Sequence, residues 1–184
     1  MVTPGYPPIR RRIEWGITVP DMGNETPRGP SQEDFKNAFS KHPAGIALIT
    51  ANTPEGPVGL TASSVSSVAV DPLALSFSVT RATGSAGGIL NAPSYLIHLL
   101  DHRDAHLAKL FARSGTERFT AEQGWETLPT GEPYLPSARV ALRGQTLQTI
   151  PVGSSTLVLA EILDVLVGEP GEPLVYYDRG FHTL

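Results

Sequence analysis

With 184 residues, 40% hydrophobic and 17% charged, the chain suits one soluble domain long enough to bury a core. A formal net charge of −4 argues against nucleic acid or an anionic membrane surface as a partner. The lack of cysteine excludes disulfides, thiolate metal sites, iron–sulfur clusters and cysteine nucleophiles, and fits a reducing compartment. No apolar run is long enough to span a bilayer, and Arg10, Arg11 and Arg12 are not followed by the hydrophobic stretch of a secretory signal. A cytoplasmic protein is expected.

Residues 1–30 read as a Pro/Gly-rich arm, holding Pro4, Pro7, Pro8, Pro20, Pro27 and Pro30 without sustained periodicity. Within it Ile13, Trp15, Ile17 and Val19 alternate and could add a short strand if the arm docks. The folded domain is expected over 31–184. Ser31 and Asp34 form a capping box for a helix with Phe35, Ala38 and Phe39 on one face, closed by Pro43 and Gly45. Gly45 to Ala51 reads as a buried strand, Thr53 to Pro57 as a hairpin turn, and Val58 to Val70 as one long returning strand. Asp71-Pro72 breaks it, and Leu73 to Val79 is a further strand.

Thr80 to Gly88 reads as a loop, and Tyr95 to Leu100 as a strand. Asp101 suits the N-cap of a helix with Leu107, Leu110 and Phe111 at helical spacing. Glu122 to Glu132 is irregular. Ala138 to Ile150 and Ser155 to Gly168 predict a long hairpin about Pro151-Val152-Gly153, and Leu174 to Tyr177 a last short strand. Many hairpin-linked strands with two or three peripheral helices indicate a mainly β, antiparallel barrel rather than a βαβ sheet.

Catalytic signatures are missing: there is no dinucleotide fingerprint, phosphate loop, nucleophile elbow or zinc-protease helix. His98, His102 and His106 lie near Asp101 and Asp104, and His102 and His106 would share a helix face at metal-ligand spacing. No fourth ligand is evident, so a solvated helix face with one half-buried strand histidine is favoured and no metal is expected.

The informative stretch is Gly59 to Val68, a core-strand position in which five residues, Thr61, Ser63, Ser64, Ser66 and Ser67, carry hydroxyls. A buried hydroxyl without a partner costs about 1–3 kcal/mol. Strict alternation would set Thr61, Ser63 and Ser67 on one face and Ser64 and Ser66 on the other. Either a bound polar ligand takes these hydrogen bonds or the face is solvated. Thr83-Gly84-Ser85 is a small hydroxyl-and-glycine turn whose N–H groups could approach a phosphate, with Arg81 beside it as a counter-charge.

In chain order these segments resemble the flavin reductase family, the small NAD(P)H-dependent partners of two-component monooxygenases. The resemblance runs from Phe35 to the C-terminus. His42 to Gly45 is similar to the family's P-T-G step, and Gly59 to Ser67 matches G-M-T-x-S-S-F-x-S without a gap. Asp71-Pro72 matches D-P-P, Thr83-Gly84-Ser85 with Ile89 fits S-x-T-x-x-x-I, and Asn91 to Leu100 resembles the strand ending N-x-L. Leu107-Ala108 with Phe111-Ala112, then Arg118-Phe119, Trp125, and Pro173 to Tyr177 with Gly180 complete the series.

The resemblance implies an FMN-binding split β-barrel that works as a homodimer, with FMN or FAD in a groove between subunits and NAD(P)H as co-substrate. It places the isoalloxazine edge against Ala44 and the backbone of Thr61, Ala62, Ser63 and Ser64, and the phosphate near Ser67, Thr83 and Ser85. Hydride transfer between nicotinamide and flavin is cofactor chemistry, so no catalytic residue is assigned. In the family's G-D-H-T turn the histidine lies near the nicotinamide; here the turn is Gly153-Ser154-Ser155-Thr156, with Ser155 at that place. The strand asparagine is His98, and the serine before D-P is Ala69. The resemblance therefore implies a flavin reductase that supplies a monooxygenase. A flavin-binding module without NAD(P)H turnover, or an FMN-dependent oxidoreductase acting on another substrate, is the alternative.

Overall fold

A computed structural model describes residues 29–184; the alternating residues Ile13 to Val19 of the arm lie outside the described residues. Ser31 opens α1 (Gln32–Ser40): its hydroxyl accepts from the Asp34 amide at 3.1 Å and the Asp34 carboxylate accepts from the Ser31 amide at 2.9 Å. This reciprocal cap satisfies two N–H groups that a helix start leaves free. The apolar face of α1 stays exposed, with the Phe35 and Phe39 rings 4.6 Å apart.

The strands are β1 (Ala44–Gly45), β2 (Ala47–Thr53), β3 (Gly56–Ala62), β4 (Ser66–Val70), β5 (Leu73–Thr80) and β6 (Tyr95–Leu99). They continue as β7 (Glu126–Thr127), β8 (Pro133–Tyr134), β9 (Val140–Val152), β10 (Ser155–Val167), β11 (Leu174–Tyr177) and β12 (Gly180–Thr183). Helix α2 (Gly84–Asn91) follows β5, and α3 (Ala105–Phe111) follows β6 after a short 3₁₀ turn over His102–Asp104. Seven strands form one sheet in the order β3-β2-β6-β9-β10-β5-β4, every neighbour antiparallel. A small sheet, β1-β11-β12, lies beside it.

β2 is buried on both faces from Ala47 to Ala51, a stretch that is apolar except for Thr50, whose hydroxyl donates to the Pro133 carbonyl at 2.7 Å. Ala47, Ile49 and Ala51 join one core cluster with Phe77, Tyr95 and Val158, which α2 covers with Ala86 and Ile89. Leu48 joins the other cluster with Leu107 and Phe111 of α3 and with Leu135 and Leu174.

Four expectations change. Val58 to Val70 is two strands, because the chain leaves β3 at one end of the sheet and re-enters it at the other end as β4. The alternation counted through Ser63–Val65 therefore does not hold. Thr80 to Gly88 is only partly loop: from Gly84 the chain is helical, driven by burial of Ala86 and Ile89 rather than by propensity. The Asp101 side chain caps the 3₁₀ turn, accepting from the Arg103 amide at 2.9 Å, so His102 and His106 are not one turn apart on a single α-helix. After β11 the chain turns back as β12, a strand not expected from the sequence.

Candidate functional site

The sheet's ends approach each other without a continuous ladder. β4 covers β5 only from Leu73 to Ser76, so from Phe77 to Thr80 strand β5 is paired on one side alone. Among the described residues β3 likewise pairs only with β2. One side chain bridges the seam: Ser64 Oγ accepts from the Ser78 amide at 2.9 Å. Over this seam opens a cavity of about 850 Å³, floored by Pro57–Thr61 of β3 and Ser78–Thr80 of β5. The start of α2 and the segment from Phe111 to Phe119 wall it.

Three features mark one end for an anion. Thr83 is the N-cap of α2 but makes no side-chain cap bond, leaving its hydroxyl and the first N–H groups of the helix available. Gly84 adopts φ +56°, and nothing lies within 4 Å of where its Cβ would be. Arg118 extends along the wall, donating from Nη1 to the Gly59 carbonyl at 2.7 Å and to Ser85 Oγ at 3.2 Å. Its guanidinium lies 5.1 Å from the centroid of the Phe111 ring. Partial burial draws the Arg118 pKa below that of a free arginine, yet the group stays charged, a cation short of solvent. Among the described residues no carboxylate lines the cavity.

The residues read from the sequence divide into two groups. Thr61, Thr83 and Ser85 line this cavity, and Thr61 Oγ1 donates to the Ala108 carbonyl at 2.7 Å. Ser63 and Thr61 line a second, smaller groove alongside. Ala62 points into the core, Ser64 is the seam bridge, and Ser67 sits exposed on β4 away from both spaces. Ala44 lies on β1 opposite Tyr176. Ser155 begins β10 directly across from Thr80, at the rim of the cavity rather than in its wall. Arg81 is exposed and outside the cavity lining.

The histidine cluster does not converge. His98 is fully buried, its Nδ1 3.2 Å from the Leu48 carbonyl and its Nε2 3.2 Å from the Leu135 amide, so both ring nitrogens are used within the fold. Asp104 is buried and accepts from Ser137 at 2.9 Å; burial raises its pKa. Among the described residues no group of three or more His, Asp or Glu side chains has metal-binding geometry. No helix among them is long and apolar enough to cross a membrane.

Residues 39–184 match the family model of the flavin reductase like domain. The chain belongs to this family. It is 37% identical over 174 residues to an NADH:FMN oxidoreductase of Rhodococcus qingshengii, covering 90% of this chain and 91% of that one. It is 31% identical over 159 residues to the 4-hydroxyphenylacetate 3-monooxygenase reductase component of Pseudomonas aeruginosa, covering 84% and 93%. The crystal structure of a flavin reductase domain protein from Arthrobacter sp. FB24 superposes with a TM-score of 0.78 at 31% identity, over 84% of this chain and 96% of that one.

The sequence sets Arg81 beside the Thr83-Gly84-Ser85 turn, whereas the side chain that reaches Ser85 in the structure of this flavin reductase-like chain is Arg118. Arg118 was visible only as part of an R-F match, with no role attached. Its side chain crosses from the segment after α3 to α2, a contact between positions 33 residues apart that no local pattern encodes.

Proposed function

We propose that the chain is an NAD(P)H-dependent flavin reductase that reduces FMN or FAD and passes the reduced flavin to a monooxygenase component. The observation that carries this is the seam cavity, with hydroxyls, the start of α2 and Arg118 at one end and, among the described residues, no carboxylate in its wall. That donor set fits a flavin phosphate. Thr83, Ser85 and Arg118 would hold it. The unpaired edge of β3 at Thr61, with Ala62, Ser63 and Ser64 following, would offer backbone groups to the ring edge, and Ala44 would border it. Ser67 would need a contact beyond this cavity to share in phosphate binding. When bound, the flavin supplies the hydride-accepting N5; the protein binds, orients and shields it.

A homodimer fits the surface. Val68, Val70, Leu73, Leu163 and Val165, on β4, β5 and β10, are exposed by 42% or more, a density of bare apolar side chains suited to a second copy. Light scattering should give twice the chain mass; a monomer with flavin bound would overturn this part. A cytoplasmic location fits the absence of cysteine.

The direct test is anaerobic addition of NADH or NADPH to the protein with FMN, watching flavin absorbance bleach. Ser155 at the family's histidine place favours a second reading, a flavin-binding module. Saturable FMN binding with no bleaching by either dinucleotide would select it.

A further inference from the structure

Arg118 stands on a stretch without regular secondary structure, between α3 and the 3₁₀ turn Ala121–Gln123. Among the described residues, 117–119 make no backbone-to-backbone hydrogen bond, so side-chain contacts must fix the guanidinium. Nε donates to Thr116 Oγ1 at 3.2 Å, and Nη2 donates to the Arg113 carbonyl. The flat surface beneath the group is the Phe111 ring, whose centroid lies 5.1 Å from Cζ. Phe119 meets the same ring edge to face at 5.1 Å. Trp125 packs on both, its ring 4.9 Å from that of Phe119 and 5.5 Å from that of Phe111. Trp125 is held in turn by Nε1, which donates to Gln123 Oε1 at 2.9 Å, and by the buried His98 ring, edge to face at 5.8 Å.

Two backbone features belong to this cluster. Phe119 has φ +60°, a left-handed conformation that a bulky side chain rarely adopts and that persists only where its surroundings impose it. In extended backbone, neighbouring side chains point to opposite faces; the left-handed turn lets Arg118 and Phe119 converge on one ring. Gly59 lies against the rings, where a Cβ would stand 2.7 Å from Phe111 Cε1 and 3.2 Å from Phe119 Cζ. Its carbonyl accepts from Arg118 Nη1 at 2.7 Å, so one glycine both admits the rings and takes the cation. Closing the core beneath α3 explains why the rings pack together. It explains neither the left-handed Phe119 nor a charged neighbour converging on the same ring.

We infer that Phe119 and Trp125 are positioning residues, which with Phe111 form an aromatic platform holding the Arg118 guanidinium at the phosphate end of the seam cavity. Cation–π attraction strengthens as the cation loses water, and Arg118 is half-buried there. The platform thereby sets how strongly a phosphorylated flavin is preferred over riboflavin, a role that rests on the flavin reductase reading for its ligand.

The experiment titrates FMN and riboflavin into the full chain and its variants. Phe119→Asn removes the ring yet suits a left-handed backbone, and Trp125→Leu withdraws support without touching that turn. Each should lower the ratio of FMN to riboflavin affinity by roughly tenfold, with Phe119→Tyr restoring it. In an Arg118→Met background the ratio should change no further, because the group being positioned is gone. Equal losses for both flavins, or an unchanged ratio, would reduce the platform to core packing and overturn the inference. A readout without flavin separates this outcome from failure of the reductase reading. In the free protein the Arg118 Nε–H should give a slowly exchanging NMR resonance, assigned by its loss in Arg118→Lys, and Phe119→Asn should remove it. That result in a protein that binds neither flavin would retain the positioning role and reject the reductase. A resonance unchanged in Phe119→Asn would reject the positioning role.

Discussion

Arg118 Nη1 stands 3.2 Å from Ser85 Oγ, tying the segment after α3 to the first turn of α2. The same nitrogen is 2.7 Å from the Gly59 carbonyl on the unpaired edge of β3, so one guanidinium touches three walls of the cavity. Arg118→Met keeps the aliphatic stem and removes the charge. FMN binding should weaken by about 2 kcal/mol, with partial recovery in Arg118→Lys. Fluorescence titration with FMN and with riboflavin separates the causes. Riboflavin lacks the phosphate, and equal losses for both flavins would mean that Arg118 only shapes the wall.

Ser85→Asp should act at the same point with opposite charge. The new carboxylate would repel a phosphate and also recruit the Arg118 guanidinium, which Ser85 already contacts. A loss of about 2 kcal/mol in FMN affinity is expected, with riboflavin affinity nearly preserved. Unchanged FMN binding would move the phosphate elsewhere.

Ser155 lies across from Thr80, which lines the cavity, so a longer side chain at 155 could reach over its rim. Ser155→His should lower KM for NADH or raise kcat while leaving FMN affinity alone. A change confined to KM would indicate uniform binding; a change in kcat would indicate contact in the transition state. If the wild type oxidises NADH briskly and the variant matches it, position 155 is a bystander.

His98 makes the fold acid-sensitive. Burial lowers its pKa from 6.5 to about 4, outweighing the hydrogen bond to the Leu48 carbonyl, which raises it. With Nδ1 donating to Leu48 and Nε2 accepting from the Leu135 amide, the ring fits only as the neutral form. The unfolded chain binds a proton near pH 6.5 and the folded chain does not until about pH 4. Stability is therefore fully present above 6.5 and falls through this window, by about 3 kcal/mol in total. Urea unfolding at pH 7.5 and 4.5 should show the loss, and His98→Gln should flatten it. An equally steep loss in that variant would assign the effect to other groups.

Much of this architecture is legible in local chemistry. The Ser31–Asp34 cap, the doubly buried β2, and the β9–β10 hairpin turning at Gly153, where φ is +58°, all follow from nearby residues. The misses share a cause in distant contacts or atypical turns. Helix α2 reads Gly-Ser-Ala-Gly-Gly-Ile-Leu-Asn, poor in helix formers, because its glycines permit close packing. A Cβ on Gly88 would come within 2.9 Å of Val58 Cγ2. Strand β12 has no local turn signal because its two-residue turn is Asp178-Arg179, with φ of +46° and +63° where glycine or asparagine usually marks the hairpin. Of the site, the hydroxyl stretch and Thr83-Gly84-Ser85 were readable. Arg118 gains meaning only when the segment after α3 is laid against β3 and α2.

The seam between β3 and β5 is the place where this sheet forgoes backbone pairing, with Ser64 as its one described bridge to Ser78. A cofactor resting there would act as a removable rung, closing by contact what the ladder leaves open. Its binding energy then adds to the free energy of opening, growing with the logarithm of free ligand over Kd. The durability of the polypeptide becomes tied to flavin supply: a starved cell would hold a looser, shorter-lived protein, and a replete one a persistent pool. Amide exchange is the gauge, since the N–H groups of Gly59–Ala62 and Ser78–Thr80 should slow on adding FMN more than those of the paired β6–β9 ladder. Uniform slowing across both would place the reinforcement in the whole fold rather than at the seam.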